Sequence, residues 1–430
     1  MPHDYAESQG EQTEGDLSLW WKQFNDPLLD SLITEALEHN FDLKIAVATV
    51  RQARAEYQIQ AAPLWPWINL SATETREKLS ETLTFSAFQG PPFQTLYQIG
   101  FDATWEIDIF GKNQRAKEMA YYSYQAQVEN MRDVQVTLLA EVAMQYINIR
   151  SFQKRLKNLR ALEKDRSELV HLNRVNFKAG LSSDINAEES DSLLEQVRAQ
   201  IPQLETALSQ ATHSLAILLG RQPENFAIEE GAIPLAKGKI PIGLPSDLLK
   251  RRPDLRSAER QLWSAMAGVK LARAELFPTF SLTAFFGYES NFSYLLFKRP
   301  SRLWNLSPNM TQPIFQGGSL LANLRAAKAV KEEMLLSYEQ AILSALKDVE
   351  DALVAYANEE VRQTHLVESL SKDKTAHRLE DDLYTAGLSD YMPALQTDIQ
   401  ALTDEDTLIQ SEQALMLDLI SLYKAVGGGW

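Results

Sequence analysis

A chain of 430 residues, 45% hydrophobic, with a net charge of −16 and no cysteine, already excludes several classes of function. Its apolar content is that of a folded protein, its acidity argues against nucleic acid, which wants a basic face, and without cysteine there are no disulfides, thiolate metal sites or cysteine nucleophiles. No run of 18 apolar residues is present, so no transmembrane helix is expected.

The N-terminal segment, 1–40, opens with MPHDYAESQGEQTEGD, which is polar and acidic and has no apolar core. It does not read as a signal peptide. The expectation is a chain that stays in the cytoplasm, or one whose export signal is missing from this N-terminus.

From residue 41 the chain reads as one unit written twice. Aligning DLKIAVATVRQARAEYQIQAAPLWPWINLSAT with DLRSAERQLWSAMAGVKLARAELFPTFSLTAF places Asp42 on Asp254, Leu43 on Leu255, Pro66 on Pro278 and Leu70 on Leu282 without a gap. Further on, Gly180 falls on Gly387 and Gly220 on Gly427. Repeat 1 spans 41–219: a helix near 41–62, strands at about 66–76 and 97–108, a long helix 112–178, a tip 179–183 and a returning helix 184–219. A linker, 220–245, leads to repeat 2, spanning 246–426. It has a helix near 246–276, strands at about 279–289 and 303–313, a long helix 319–386, a tip 387–389 and a returning helix 390–426. A tail, 427–430, ends the chain.

The strand signal is strict alternation. Tyr97, Ile99, Phe101, Ala103, Trp105 and Ile107 interleave with Gln98, Gly100, Asp102, Thr104 and Glu106. Phe280, Leu282, Ala284, Phe286 and Tyr288 interleave with mostly Thr, Ser, Gly and Glu. Such a sheet is apolar on one face and wet on the other. A half-buried sheet of a soluble protein and a transmembrane barrel both fit, the second favoured by aromatics near the strand ends, among them Trp67, Trp105, Tyr288 and Trp304.

The long helices lack glycine and proline, and each would be about 100 Å long. Spacing such as Ile342, Leu346, Val349, Leu353 and Tyr356 argues for coiled-coil-like packing. KAGLSSD and TAGLSD then read as hairpin tips. Gly180 and Gly387 supply the left-handed residue that ends a helix. Ser182 or Ser183, and Ser389, are candidate caps of the returning helices, with Asp184 and Asp390 complementing their dipoles. Turns and strands are expected at opposite ends of a long rod.

Catalytic signals are missing. The six histidines show no His-x-x-x-His spacing and read as surface or interhelical residues. GGGW at the C-terminus ends a helix, and Asp404-Glu405-Asp406 lacks the spacing of a calcium loop. No enzyme activity, cofactor or metal is expected.

At this level the chain resembles a known family. WEIDIFGK, LLKRRPDLRSAERQL, FPTFSLTAFFGY, PIFQGGSL, LKDVEDAL and the ending LYKAVGGGW look like the TolC-like outer-membrane factors of tripartite efflux pumps. The branch resembled is the one that works with resistance-nodulation-division transporters. The resemblance implies a mainly α fold with a membrane β-barrel part. Three chains would share one twelve-stranded barrel in the outer membrane and a helical barrel in the periplasm. A mixed α/β equatorial belt would form from the chain ends and the linker. It implies a homotrimer set in outer-membrane lipid, a periplasmic adaptor and an inner-membrane transporter as partners, and no nucleic acid. The chain would be a passive exit duct for drugs or other small toxic compounds. The alternatives are a type I protein secretion duct and, in a different class, a soluble coiled-coil scaffold.

Implied sites follow residue by residue. The adaptor-docking tips are Gly180, Leu181 and Ser182 with Gly387, Leu388 and Ser389. The membrane aromatics are Trp67, Tyr97, Phe101, Trp105, Phe280, Tyr288 and Trp304. At the periplasmic gate the family tyrosine is kept as Tyr384. An aspartate of relatives is replaced by Gln396, a further one aligns with Pro393, and Asp390 and Asp398 stand nearby as substitutes. The lipid-modified cysteine with which many members begin is not present in this chain.

Overall fold

The computed structural model describes residues 17–78, 93–236 and 245–430. A short 3-10 turn, Trp20–Phe24, precedes α1, Pro27–His39. Asp26 caps α1, accepting from the Leu28 and Leu29 amides at 2.9 and 3.3 Å, and Pro27 takes the first position, where no N–H is needed. Then come α2 (Phe41–Ala61), β1 (Trp67–Lys78), β2 (Phe93–Ile107), α3 (Lys112–Lys178) and α4 (Asp184–Leu218). The second half has α5 (Leu248–Arg251), α6 (Pro253–Ala274), β3 (Thr279–Ser290), β4 (Arg302–Thr311), α7 (Ser319–Thr385) and α8 (Tyr391–Val426). Both long helices, α3 and α7, have 67 residues, as a duplicated unit requires.

One expectation is corrected. The helix near 246–276 is broken at Arg252, whose extended backbone (φ −78°, ψ 118°) separates α5 from α6. The cause is Pro253, which disfavours helical backbone in the residue before it. The belt regions are helical or irregular, with no strand among the described residues of 17–40 and 220–236. Arg150 donates to the Glu229 carbonyl and Gln153 to the Ile228 carbonyl at 3.0 Å, which ties this segment to α3.

The chain divides into two compact units. One comprises Thr49–Val128 and Ser257–Glu339 and holds the four strands as one antiparallel sheet in the order β1-β2-β3-β4. The other holds the remaining residues. Its core packs the middle of α3 against the start of the described chain and the ends of α4 and α8. Trp20 stacks on Tyr423 at 5.1 Å, and the Tyr423 hydroxyl donates to Gln23 at 2.6 Å. The Tyr146 hydroxyl donates to Asp26 at 2.5 Å and accepts from Arg150 at 3.1 Å. Arg252, from the RRPDL motif, reaches Asp254, Asp348 and the Ala425 carbonyl, which fastens the end of α8 to α6 and α7.

Candidate functional site

The sheet presents an uncovered apolar face. Register aligns Leu70, Phe101, Phe286 and Trp304 in one cross-strand row, and Ile68, Ala103, Ala284 and Leu306 in the next. Leu70 is 65% exposed and Trp304 71%. The opposite face carries Asn69, Asp102 and Asn305 in one row and Thr104, Thr283 and Ser307 in another, with Asn69 donating to Asp102 at 3.1 Å. An apolar patch of this extent in water marks a binding or membrane surface. Tyr97, Phe101, Trp105, Phe280, Tyr288 and Trp304 share the apolar face. Trp67 pairs with Thr104 and so falls on the polar face, because successive side chains of a strand alternate. Phe285, also on the polar face, was not singled out from the sequence. Its ring covers Gly100, where a Cβ would lie 2.6 Å from it. The outer edges of β1 and β4 have no strand partner among the described residues.

The two tips are built alike. Gly180 donates to the Phe177 carbonyl and Leu181 to Asn176, each at 2.9 Å. Gly387 donates to Tyr384 and Leu388 to Leu383 at the same distance. Both glycines have φ of +72°, the left-handed region, and a Cβ on either would meet nothing within 4 Å. Leu181 and Leu388 project into the open, 79% and 77% exposed. Serine caps are not formed. Ser183 stands at the cap of α4 without a side-chain bond, and the cap position of α8 is Asp390 rather than Ser389. Ser182 instead accepts from Asn186 at 3.0 Å, and the Ser389 hydroxyl points to Glu380 at 3.3 Å.

Just above the second tip, the rings of Tyr384 and Tyr391 meet at 5.1 Å, tilted by 46°. Two turns further along α8, Asp398 lies 3.9 Å from Nε2 of His377 on α7. The other ring nitrogen of His377 is 3.1 Å from the Ala394 carbonyl. A carbonyl only accepts, so Nδ1 carries a proton, and Nε2 faces Asp398. From α3, Asp165 faces Asp398. Burial, then the Asp398 charge and the hydrogen bond shared with it, push the Asp165 carboxyl up to about 6. Burial and the Glu168 and Asp165 charges raise the Tyr391 hydroxyl. Tyr384 and Asp398 are thus linked through Tyr391, while Asp390 and Gln396 remain exposed outside this cluster. Asp165, His377 and Tyr391 were not among the residues assigned to the gate. The only local signal was the reading of all six histidines, His377 among them, as surface or interhelical residues.

In the same unit, a cavity of about 490 Å³ is lined by Asp133, Arg252, Asp254, Asp348, Asp418 and Lys424 among others. Burial raises the Asp133 and Asp418 carboxyls. No helix among the described residues is long and apolar enough to cross a membrane.

A family model described as outer membrane efflux protein matches residues 32–221 and again 244–428, one stretch for each repeat. The chain belongs to the outer membrane efflux protein family. Among curated relatives, the solvent efflux pump outer membrane protein SrpC of Pseudomonas putida is 33% identical over 415 residues, covering 95% of this chain and 86% of that protein. The pyoverdine export outer membrane protein OpmQ of Pseudomonas aeruginosa is 33% identical over 426 residues, covering 98% and 89%. Among solved structures, the outer-membrane channel OprN superposes with a TM-score of 0.91 at 30% identity, covering 100% of this chain and 96% of that one. The open state of the Neisseria gonorrhoeae MtrE outer membrane channel gives 0.88 at 28% identity, covering 100% and 96%. This family member is therefore an outer-membrane protein of the TolC-like fold, mainly helical with a β-barrel part, and it acts in efflux.

Proposed function

We propose that this chain is the passive exit duct of a tripartite pump and works as a homotrimer. The observation that carries this is the sheet: four strands whose two outer edges have no strand partner among the described residues, and one apolar face in the open. Four strands fall short of the roughly eight of the smallest membrane barrels, so copies of the chain must supply the rest, each joining its β4 to the β1 of the next. Solvent efflux and pyoverdine export by relatives support small molecules as cargo, among them drugs and other toxic compounds. A resistance-nodulation-division transporter supplies the energy and a periplasmic adaptor makes the connection. Three chains offer six near-identical tips to that adaptor, so several weak contacts add up to firm docking. Replacing Gly180 and Gly387 together with Val forces a β-branched residue into left-handed backbone and distorts both tips. The expected result is loss of adaptor crosslinking and of export with the trimer intact; normal crosslinking would remove the tips as the docking surface.

The gate belongs to the second tip. Tyr384 narrows the duct there, and the acidic surroundings, Asp381, Asp382, Asp390 and Asp398, attract cations and repel anions. In planar bilayers the protein is expected to form a low-conductance, cation-preferring channel. Tyr384→Ala should raise the conductance and keep the preference, because it removes the ring and leaves the charge. An anion-preferring wild type would contradict the electrostatic reading, and an unchanged conductance in the variant would contradict the role of Tyr384.

A further inference from the structure

Where the sheet is farthest from its helices, the apolar face changes character. β1 ends there with Arg76 and Lys78, and β4 begins there with Arg302. Register places Lys78 opposite Phe93 and Arg302 opposite Tyr288. Alternation puts Arg76, Lys78 and Arg302 on the same face as Leu70, Phe101 and Trp304. The acids of this end are largely on the other face. There Glu77 accepts from Gln94 at 2.5 Å and Glu289 from Gln98 at 3.5 Å. Glu74 is the one carboxylate of the described strand ends on the cationic face.

The connection between β3 and β4 extends this pattern. Phe292, Tyr294 and Phe297 are exposed, Tyr294 by 72%, and they are followed at once by Lys298 and Arg299. Phe297 is braced edge-on against Tyr288 at 5.7 Å, and Phe292 against Tyr294 at 5.6 Å. Among the described residues, Arg76, Lys298, Arg299 and Arg302 form no ion pair with a carboxylate. In a chain of net charge −16, a group of cations with no ion pair among the described residues, bordering an apolar band, suits an anionic partner.

We propose that this margin of the sheet is a binding belt for the phosphate-bearing lipid headgroups of the outer leaflet. The exposed rings sit at the boundary between headgroups and acyl chains, as amphipathic aromatics do. Arg76, Lys298, Arg299 and Arg302 meet the phosphates, for which the guanidinium fork is suited. The partner is a lipid because the cations continue the apolar face without a break. A soluble polyanion would leave that face in water. The inference rests on the barrel reading above.

The test uses the full-length trimer in detergent. It is titrated with hexa-acylated lipid A carrying both phosphates and with the same lipid A stripped of them, and bound lipid is counted by native mass spectrometry. The comparison is a variant combining Arg76→Gln, Lys298→Gln, Arg299→Gln and Arg302→Gln. Insertion of both proteins into phosphatidylcholine vesicles is measured in parallel. Wild type is expected to hold the phosphorylated lipid at least about tenfold more tightly, given the attraction of each basic residue to an anionic leaflet. The variant is expected to lose this preference and still insert. Inorganic phosphate at millimolar concentration is expected to leave binding unchanged. Equal binding of the two lipids by wild type, or a preference kept by the variant, would overturn the belt and leave the barrel standing. Full competition by inorganic phosphate would show a free-anion site and also overturn it. Failure of wild type to insert would overturn belt and barrel together.

Discussion

Phe101→Arg combined with Phe286→Arg is expected to abolish the assembled trimer in the outer membrane. The two residues are cross-strand neighbours in the middle of the apolar face. An arginine on the lipid face at mid-depth costs about 2–4 kcal/mol. Two such sites in each of three chains amount to about 12–24 kcal/mol, as large as or larger than the roughly 5–15 kcal/mol by which a folded domain is usually held. The control is on the other face. Thr283→Arg and Asn305→Arg place the same charge in polar rows and should leave assembly intact. The measurement is the fraction of protein that runs as a heat-sensitive trimer from the outer-membrane fraction. Equal tolerance on both faces would show that the apolar rows do not meet lipid.

The second large effect is on the pH dependence of opening. Asp165, with its carboxyl near 6, is protonated in mild acid and then holds Asp398 by a hydrogen bond. Above that pH the two carboxylates face each other charged. The folded-state value is raised, so the contact contributes fully at low pH and is lost as pH rises through about 6. The other charged groups around this pair are Lys164, which favours the charged form of Asp165, and Glu168, which opposes it. The hairpin carrying Tyr384 and Tyr391 should therefore be tied to α3 more firmly at pH 5 than at pH 8. Channel opening in bilayers should increase about five- to tenfold over that range, screening by solvent at this half-buried site limiting the gain. Asp165→Asn keeps a donor and removes the charge, and should flatten the profile at its closed end. A variant with the full wild-type profile would show that the pair does not control the gate.

The architecture was readable because its signals are local. α3 and α7 are bounded by glycines and uninterrupted by proline, and their observed limits agree with the reading to within a residue. The strands announce themselves by alternation. β2 begins at Phe93, earlier than expected, because Leu96 breaks the alternation just before Tyr97 and hides the first turn of pairing. The start of α1 carried a clear signal in Asp26-Pro27, a side-chain acceptor followed by a residue without an N–H, but it was read only as part of a segment. The Asp165–Asp398 pair could not be read in this way. Its members are on different helices far apart in sequence, each an ordinary helix-surface acid by local pattern, and only the packing of α3 on α8 brings them together. The tip serines fail for a different reason. Their type fits a cap, but the hydroxyls of Ser182 and Ser389 are engaged with Asn186 and Glu380 instead of the first amides of the returning helices.

The central claim is that the open four-stranded sheet closes only with two further copies of the chain. Its most direct test is the mass of the purified, full-length protein in detergent, measured by light scattering with the detergent contribution subtracted. The account predicts three copies per particle and aggregation when detergent is withdrawn. A monodisperse monomer, stable without detergent, would contradict it.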